Sequence, residues 1–121
     1  MRFARWVFLI AGIYGILITT PLFFLEQRIG MDAPPPITHP EYFYGFVCLV
    51  IAWQLMFLLI AGDPIRYRPA MPIAIIEKFS FAIPVPILFA LGRVQANVFA
   101  FAMIDAFFAV LFGIAYWKSR P

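Results

Sequence analysis

Four long apolar stretches dominate the pattern of hydrophobic and polar positions along the chain. They lie at about residues 6–25, 43–61, 72–91 and 94–117. Each stretch can cross roughly 30 Å of hydrocarbon as an α-helix, at a rise of about 1.5 Å per residue. The pattern therefore predicts an all-α protein, an integral membrane up-down four-helix bundle, in which residues 1–121 form a single transmembrane domain.

The stretch from residue 26 to residue 41 is the one long connection between the predicted spans. Pro34, Pro35 and Pro36 make it stiff and extended. Thr38, followed three residues later by Glu41, has the spacing of a capping box that would begin the second span. We therefore expect a proline-rich, extracytoplasmic loop that leads directly into a capped helix.

The third apolar stretch contains two prolines in its interior, Pro84 and Pro86. A proline inside a helix removes one backbone donor and clashes with the preceding turn. We therefore expect the third helix to be kinked at these residues, with carbonyl groups that must find other partners in hydrocarbon.

Composition and charge set the compartment and the orientation. With 64% hydrophobic and 12% charged residues, the chain has no room for a separate soluble domain. If the amino terminus is cytoplasmic, that side carries most of the basic residues. These are Arg2, Arg5, Arg66, Arg68, Lys118 and Arg120, against Arg28 and Arg93 outside. The positive-inside rule then predicts a multi-pass protein of the cell inner membrane, typical of bacteria, with both termini cytoplasmic. Basic residues dispersed in this way do not indicate a nucleic-acid partner.

The sequence offers few residues for metal or thiol chemistry. Cys48 is the only cysteine, so the chain can form neither an internal disulfide nor a CxxC pair. His39 is the only histidine, and with Glu41 it makes too small a ligand set for a metal. We expect no metal and no cofactor, and we assign His39 and Glu41 to the start of the second span as polar residues of the outer loop.

Polar and charged side chains fall inside three of the predicted spans. By helical rise, Gln54, Ser80 and Asp105 lie roughly 16 Å from the outer ends of their helices, near the middle of the bilayer. Charged groups at this depth are costly and usually face the bundle interior. The candidate ligand- or ion-binding residues are Glu77, Asp105, Gln54, Ser80, Lys78 and Asn97.

These residues allow two interpretations. In the structural one, Asp105 is protonated or hydrogen-bonded to Gln54 and Ser80, while Lys78 extends its side chain to the membrane boundary. In the functional one, the polar side chains line a small cavity for a cation, a proton or a polar headgroup, a kind of site that membrane proteins build where helices are interrupted.

Two further features concern possible partners. Arg66, Tyr67 and Arg68 alternate cationic and aromatic side chains between the second and third spans, which suits either anionic lipid headgroups or a partner protein, or serves only as a topology signal. In the first span, small residues recur every four positions and would let a neighbouring helix approach closely. They are Ala11, Gly15 and Thr19.

Three segments resemble a group of small four-span bacterial membrane proteins of unassigned function. They are residues 34–41 with Tyr44-Gly45-Phe46, residues 63–69, and Glu77-Lys78. The resemblance covers the whole chain, implies the same four-span topology, and singles out His39, Glu41, Arg66, Tyr67, Arg68, Glu77 and Lys78, but it implies no activity. The chain is also similar to the DoxX-like four-helix membrane proteins in size and number of spans.

The sequence favours a small ligand- or ion-binding or transport module with a polar midplane cluster. Because four helices enclose little space, a transport path would need a homo-oligomer or a larger membrane complex. The alternative is a structural or accessory subunit that docks through the first span and residues 66–68. A third reading is an intramembrane enzyme acting on lipid or quinone with Glu77 as acid or base, but no nucleophile and base accompany that residue. Membrane lipids are expected partners in every case.

Overall fold

The computed structural model describes residues 1–121, and all of its regular structure is helical. The helices are α1 (Arg2–Thr19), α2 (Glu26–Asp32), α3 (Pro40–Gly62), α4 (Met71–Ala82), α5 (Pro84–Ala90) and α6 (Ala96–Lys118). Short 3-10 helices, Thr20–Phe24 and Arg68–Ala70, extend the first and third apolar segments. Four segments are long and apolar enough to cross a membrane, namely Arg2–Phe24, Pro40–Gly62, Arg68–Ala90 and Ala96–Lys118. The prediction of an all-helical chain with four such segments is confirmed.

The connection between the first two spans differs from the expected extended loop. Residues Glu26–Asp32 form α2, in which the Arg28 guanidinium lies 3.0 Å from the Asp32 carboxylate one turn later. Glu26 lies in the first turn of α2, where a negative charge is favourable. The expectation of an extended chain is therefore wrong for residues 26–32, and only the residues around the three prolines lack helical structure.

The start of α3 also corrects the sequence analysis. His39, rather than Thr38, precedes the helix, and no side chain caps it. The Glu41 carboxylate lies 3.3 Å from Nδ1 of His39, so it is engaged there instead of returning to the backbone of Thr38. Pro40 begins the helix, a position at which the missing N–H is not needed.

The third span is divided between α4 and α5 at Ile83. Pro84 is the first residue of α5, and Pro86 lies in the same first turn. Prolines are tolerated in a first turn because those N–H groups have no partner within the helix. The span ends where Arg93 donates its backbone N–H to the Leu88 carbonyl at 2.8 Å, beside Gly92, whose positive φ of 71° favours glycine.

Buried apolar side chains concentrate at one end of the bundle, which we call the packed half. It combines the first half of α1, the second half of α3, the start of α4 and the second half of α6, as expected for helices that alternate in direction. Its core residues are Ala4, Val7, Phe8, Ala11, Phe57, Ile60, Ala61, Met71, Ala74, Phe108, Phe112 and Ala115. The ring of Phe112 stacks on Phe8 at 4.2 Å and meets Phe57 edge-on at 5.0 Å.

Arg68 ties the connection before α4 to the end of α6. Its Nη2 and Nε atoms donate to the Tyr116 carbonyl at 2.9 and 3.2 Å, and its guanidinium lies 3.8 Å from the centre of the Tyr116 ring. The last carbonyls of a helix have no partner within it, so this side chain satisfies a group that would otherwise remain open. Arg68 therefore holds the packed half together at its end.

The outer faces of the spans carry large exposed apolar side chains, including Leu17, Leu55, Ile76 and Phe107. A surface of this kind, distributed over all four long helical segments, suits contact with acyl chains and not with water.

We expect Phe112→Ala to lower the free energy of unfolding by about 1–3 kcal/mol, because it opens a void among three packed rings. The measurement is thermal unfolding in mild detergent. Phe107→Ala is the matched control, since Phe107 lies on the same helix but is 62% exposed. Equal effects from the two substitutions would contradict the description of the packed half.

Candidate ligand cavity

The half of the bundle opposite the packed half encloses a partly open cavity of about 660 Å³. Residues of α1 and α3 form one wall, and residues of α4 and α6 form the other. Ile29 and Asp32 of α2, with Gln95 before α6, lie at the end away from the packed half. All six predicted ligand-binding residues line this cavity, namely Glu77, Asp105, Gln54, Ser80, Lys78 and Asn97.

The cavity floor contains a charged cluster of Glu77, Lys78 and Asp105. Nζ of Lys78 lies 3.5 Å from Oδ1 of Asp105 and 3.9 Å from Oε2 of Glu77. The rings of Phe57 and Phe108 lie 5.1 and 5.5 Å from the same ammonium, at the boundary with the packed half. The cluster therefore joins two helices, α4 and α6, at the base of the cavity.

Lys78 is only 3% exposed, so the expectation that its side chain reaches the membrane boundary is wrong. The reason is its position on α4, whose buried residues are Met71, Ala74, Lys78 and Ala82. This spacing of three and four residues puts Lys78 on the inward stripe of the helix. The same spacing is visible in the sequence and could have indicated the buried lysine.

The hydrogen bonds between Asp105 and Gln54 or Ser80, which belong to the structural interpretation, are absent. Lys78 is the side chain that donates to Asp105. Ser80 instead donates its hydroxyl to the Ile76 carbonyl of its own helix at 2.9 Å, and Asn97 is an exposed residue of the cavity wall near the start of α6. Ser80 and Asn97 thus contribute to the wall but not to the charged cluster.

Gln54 is 1% exposed and presents an unused acceptor. Its Nε2 atom donates to the Val50 carbonyl at 2.9 Å, which fixes the orientation of the amide because only the nitrogen can donate there. The other atom, Oε1, is buried and has no hydrogen-bond partner. Leaving such a group without a partner costs about 1–3 kcal/mol.

Gly15 makes the position of Gln54 possible. A Cβ atom added to Gly15 would overlap Oε1 of Gln54, so a larger residue cannot occupy this place without moving the amide. Ala11, Gly15 and Thr19, the small residues of the first span, are all buried inside the chain. The predicted close approach of a neighbouring helix is therefore made by α3 of the same chain.

Glu77 supplies a second unused acceptor. Its Oε2 atom is buried and receives no hydrogen bond, although it lies 3.9 Å from the Lys78 ammonium. The carboxylate is therefore within ion-pair range but is not satisfied as an acceptor. Together with Gln54, it gives the floor of the cavity two oxygen atoms that can accept a hydrogen bond.

The aromatic and bridging residues of the cavity were not predicted from the sequence. Tyr14, Trp53 and Phe101 line its walls, and Nε2 of Gln95 donates to the Asp32 carbonyl at 3.0 Å where α2 approaches the start of α6. Aromatic residues are both exposed, as Phe107 is, and buried, as Phe112 is, so composition does not distinguish a residue of the cavity wall from one on the outer surface. Trp53 could have been found only from its place next to Gln54.

The remaining predicted positions lie outside the cavity. His39 and Glu41 form an exposed pair on the loop before α3. Arg66 is exposed with its guanidinium 5.3 Å from the Tyr67 ring, whereas Arg68 is bound to the end of α6. The structure therefore brings together the six candidate ligand-binding residues around one cavity and separates them from these five. No three His, Cys, Asp or Glu side chains lie close enough together to hold a metal ion.

The chain matches no protein-family model, no curated protein and no solved structure. The observations that bear on function are therefore those of the cavity itself: a fixed cation, two carboxylates, two unused acceptors and aromatic walls.

We expect Lys78→Met to lower the free energy of unfolding by about 3 kcal/mol, because it leaves two carboxylates in an apolar interior without a cation. Adding Asp105→Asn to Lys78→Met should recover part of this loss. The measurement is a double-mutant cycle from thermal unfolding in detergent. The exposed Lys118 provides the control, since Lys118→Met should change stability by less than about 0.5 kcal/mol. Additive effects of the two cluster substitutions would show that Lys78 and Asp105 do not interact.

We expect Gly15→Ala to destabilise the protein by about 1–3 kcal/mol, because the new methyl group displaces the Gln54 amide. Gln54→Ala should remove most of this cost when it is combined with Gly15→Ala, as measured by thermal unfolding. Gly45→Ala is the matched control, since a Cβ atom at that helical glycine meets nothing within 4 Å. The contact is refuted if the double variant is no more stable than Gly15→Ala alone.

Proposed function

We propose that this chain is a multi-pass protein of a bacterial inner membrane that binds a small ligand or ion in the cavity. The observation that supports this function is the convergence of six polar side chains, from three different spans, on one cavity. Three of them form a charged cluster at its floor. Charged residues inside a membrane bundle are costly and are commonly retained for binding or transport.

In the proposed orientation both termini are cytoplasmic and the cavity faces the outer side. The support is the distribution of basic residues, which concentrate at the ends of the packed half, together with the positive-inside rule. The third span is proposed to bend at Pro84 and Pro86, which is supported by the division of its helix at Ile83. Membrane lipids are the proposed partners of the exposed apolar faces and of Arg66.

A transport role requires more than one copy of the chain or a larger complex. Below the charged cluster, the rings of Phe8, Phe57 and Phe112 fill the packed half. A single bundle therefore offers a binding site that is closed at one end, and passage across the membrane would need an assembly. We accordingly propose binding as the function of the single chain and transport as a function of a homo-oligomer.

The alternative of an accessory subunit gains less support. Its proposed docking features were the small residues of the first span and residues 66–68. The small residues are buried against α3, and Arg68 is bound to the end of α6. Both features stabilise the chain itself, and only Arg66 and part of Tyr67 remain available to a partner. The intramembrane enzyme has no hydroxyl or thiol paired with a base in the cavity to support it.

Cysteine accessibility tests whether the cavity receives water-soluble molecules. In a Cys48→Ser background, Ser80→Cys places a thiol on the cavity wall. Ile76→Cys places one a single turn away on the same helix, at a residue that is 60% exposed and does not line the cavity. A thiol reacts as the thiolate, which forms in water. We therefore expect Ser80→Cys in membranes to react with a charged methanethiosulfonate at least about tenfold faster than Ile76→Cys does.

Protection of the same thiol then tests binding. A small-molecule extract of the cells that produce the protein should slow the reaction of Ser80→Cys and leave that of Glu41→Cys, at an exposed residue, unchanged. If Ser80→Cys is as unreactive as Ile76→Cys, the cavity is closed to water-soluble molecules and the proposed function is wrong.

A further inference from the structure

We propose that the ligand of this cavity is an organic ammonium, a primary or secondary amine with an apolar body, whose N–H groups donate to Gln54 and Glu77 on the floor. This inference rests on the proposed binding function and specifies the chemical class that the site would take.

The charges of the floor favour a cation. The cluster combines the carboxylates of Glu77 and Asp105 with the single ammonium of Lys78, and no other charged side chain except Asp32 lines the cavity. Asp32 is already paired with Arg28. Lys78 compensates one of the two carboxylates of the cluster, so a ligand with one positive charge would balance the other. An anionic ligand would find its only cation already engaged and would add a second uncompensated charge at a depth where such charges are expensive.

The unused hydrogen-bonding groups favour a ligand that donates. Both buried side-chain atoms without a partner are oxygens, Oε1 of Gln54 and Oε2 of Glu77. Neither can act as a donor while Gln54 keeps its bond to the Val50 carbonyl and Glu77 is ionised. An ammonium with N–H groups can satisfy both acceptors, whereas a quaternary ammonium has the charge but no proton to donate. Gln54 and Glu77 both line the cavity, and the inference requires that a side-chain movement on binding bring their two buried oxygens into contact with the ligand.

The walls favour an organic body over a bare inorganic cation. An inorganic cation such as Mg²⁺ or Ca²⁺ needs about six or more oxygen ligands. Above the floor, the cavity is lined mainly by apolar and aromatic side chains, among them Tyr14, Trp53, Phe81 and Phe101. Its volume of about 660 Å³ lies within the range of small-molecule sites. Aromatic faces also attract a cation that approaches along the walls.

Four probes that share one apolar body and differ in the head group test this inference. They are phenethylamine, phenethyltrimethylammonium, phenethyl alcohol and hydrocinnamate, titrated calorimetrically into the whole protein in lipid nanodiscs. Empty nanodiscs correct for partitioning into lipid. We expect phenethylamine to bind at least about tenfold more tightly than each of the other three probes, since it alone carries both the charge and the N–H donors.

A variant that removes the charge of Glu77 distinguishes the contribution of the floor to binding from that of the walls. In Glu77→Gln, phenethylamine should lose about tenfold in affinity, while the affinity of phenethyl alcohol should stay unchanged. Glu26→Gln is the matched control, because Glu26 lies outside the cavity and a glutamine can still accept the hydrogen bond from Tyr44. The four-probe titration of the unmodified protein tests the inference even if the Glu77 variant does not fold.

The outcomes distinguish this inference from the proposed function. Equal binding of phenethylamine and phenethyltrimethylammonium, tighter binding of the alcohol or of hydrocinnamate, or no binding of any probe would overturn the assignment of an amine. The proposed function would still stand if Ser80→Cys remained accessible and was protected by the cell extract. If the thiol of Ser80→Cys is inaccessible to the charged reagent, both the proposed function and the assignment of an amine ligand are wrong.

Discussion

An ammonium group inside an apolar bundle must be compensated by groups of the same chain, and the ion pairs of Lys78 meet this requirement. Lys78 lies on the inward stripe of α4, so its charge cannot reach the membrane surface. Asp105 reaches it from α6 and Glu77 from the preceding position, while the rings of Phe57 and Phe108 close around the other sides. These contacts fix the depth at which α4 and α6 meet. They also mark the level at which the interior changes from packed apolar side chains to an open polar cavity.

The division of the bundle into two halves follows from side-chain size on either side of this level. Toward the chain ends, alanines alternate with phenylalanines, and Phe8, Phe57 and Phe112 fill the space between the helices. On the other side, α1 packs against α3 through Gly15, and residues of the interrupted third span line the cavity. In the packed half the buried core joins residues of all four spans, and Arg68 ties the start of the third span to the end of α6. The open half can therefore keep unsatisfied acceptors without loss of the fold.

The length of the apolar stretches was sufficient to predict the four long helical segments, because length and apolar content decide whether a segment can cross a membrane. Helical rise also placed Gln54, Ser80 and Asp105 at similar depths, with Glu77 about one turn away, and all four residues line the cavity. It could not assign the individual contacts. The side chain of Lys78 is long enough to leave the interior, and only the packing of Met71, Ala74 and Ala82 keeps Lys78 on the buried side of α4.

The short helix α2 was not predicted, because the three prolines that follow it indicated an extended connection. Whether Asp105 bonds to Gln54 or to Lys78 depends on how each helix is rotated about its own axis. Helical rise predicts the depth of a residue but not this rotation.

Trp53 gives the cavity an intrinsic optical probe. The chain has three tryptophans, and Trp53 is the one whose indole lines the cavity wall, next to Gln54. Trp6 and Trp117 are 56% and 59% exposed near the opposite end of the bundle. Their emission reports the exposed surface at that end, whereas the emission of Trp53 reports the polarity of the cavity interior. The wavelength and quenching of one native side chain thus distinguish a dry cavity from a hydrated or occupied one without any chemical label.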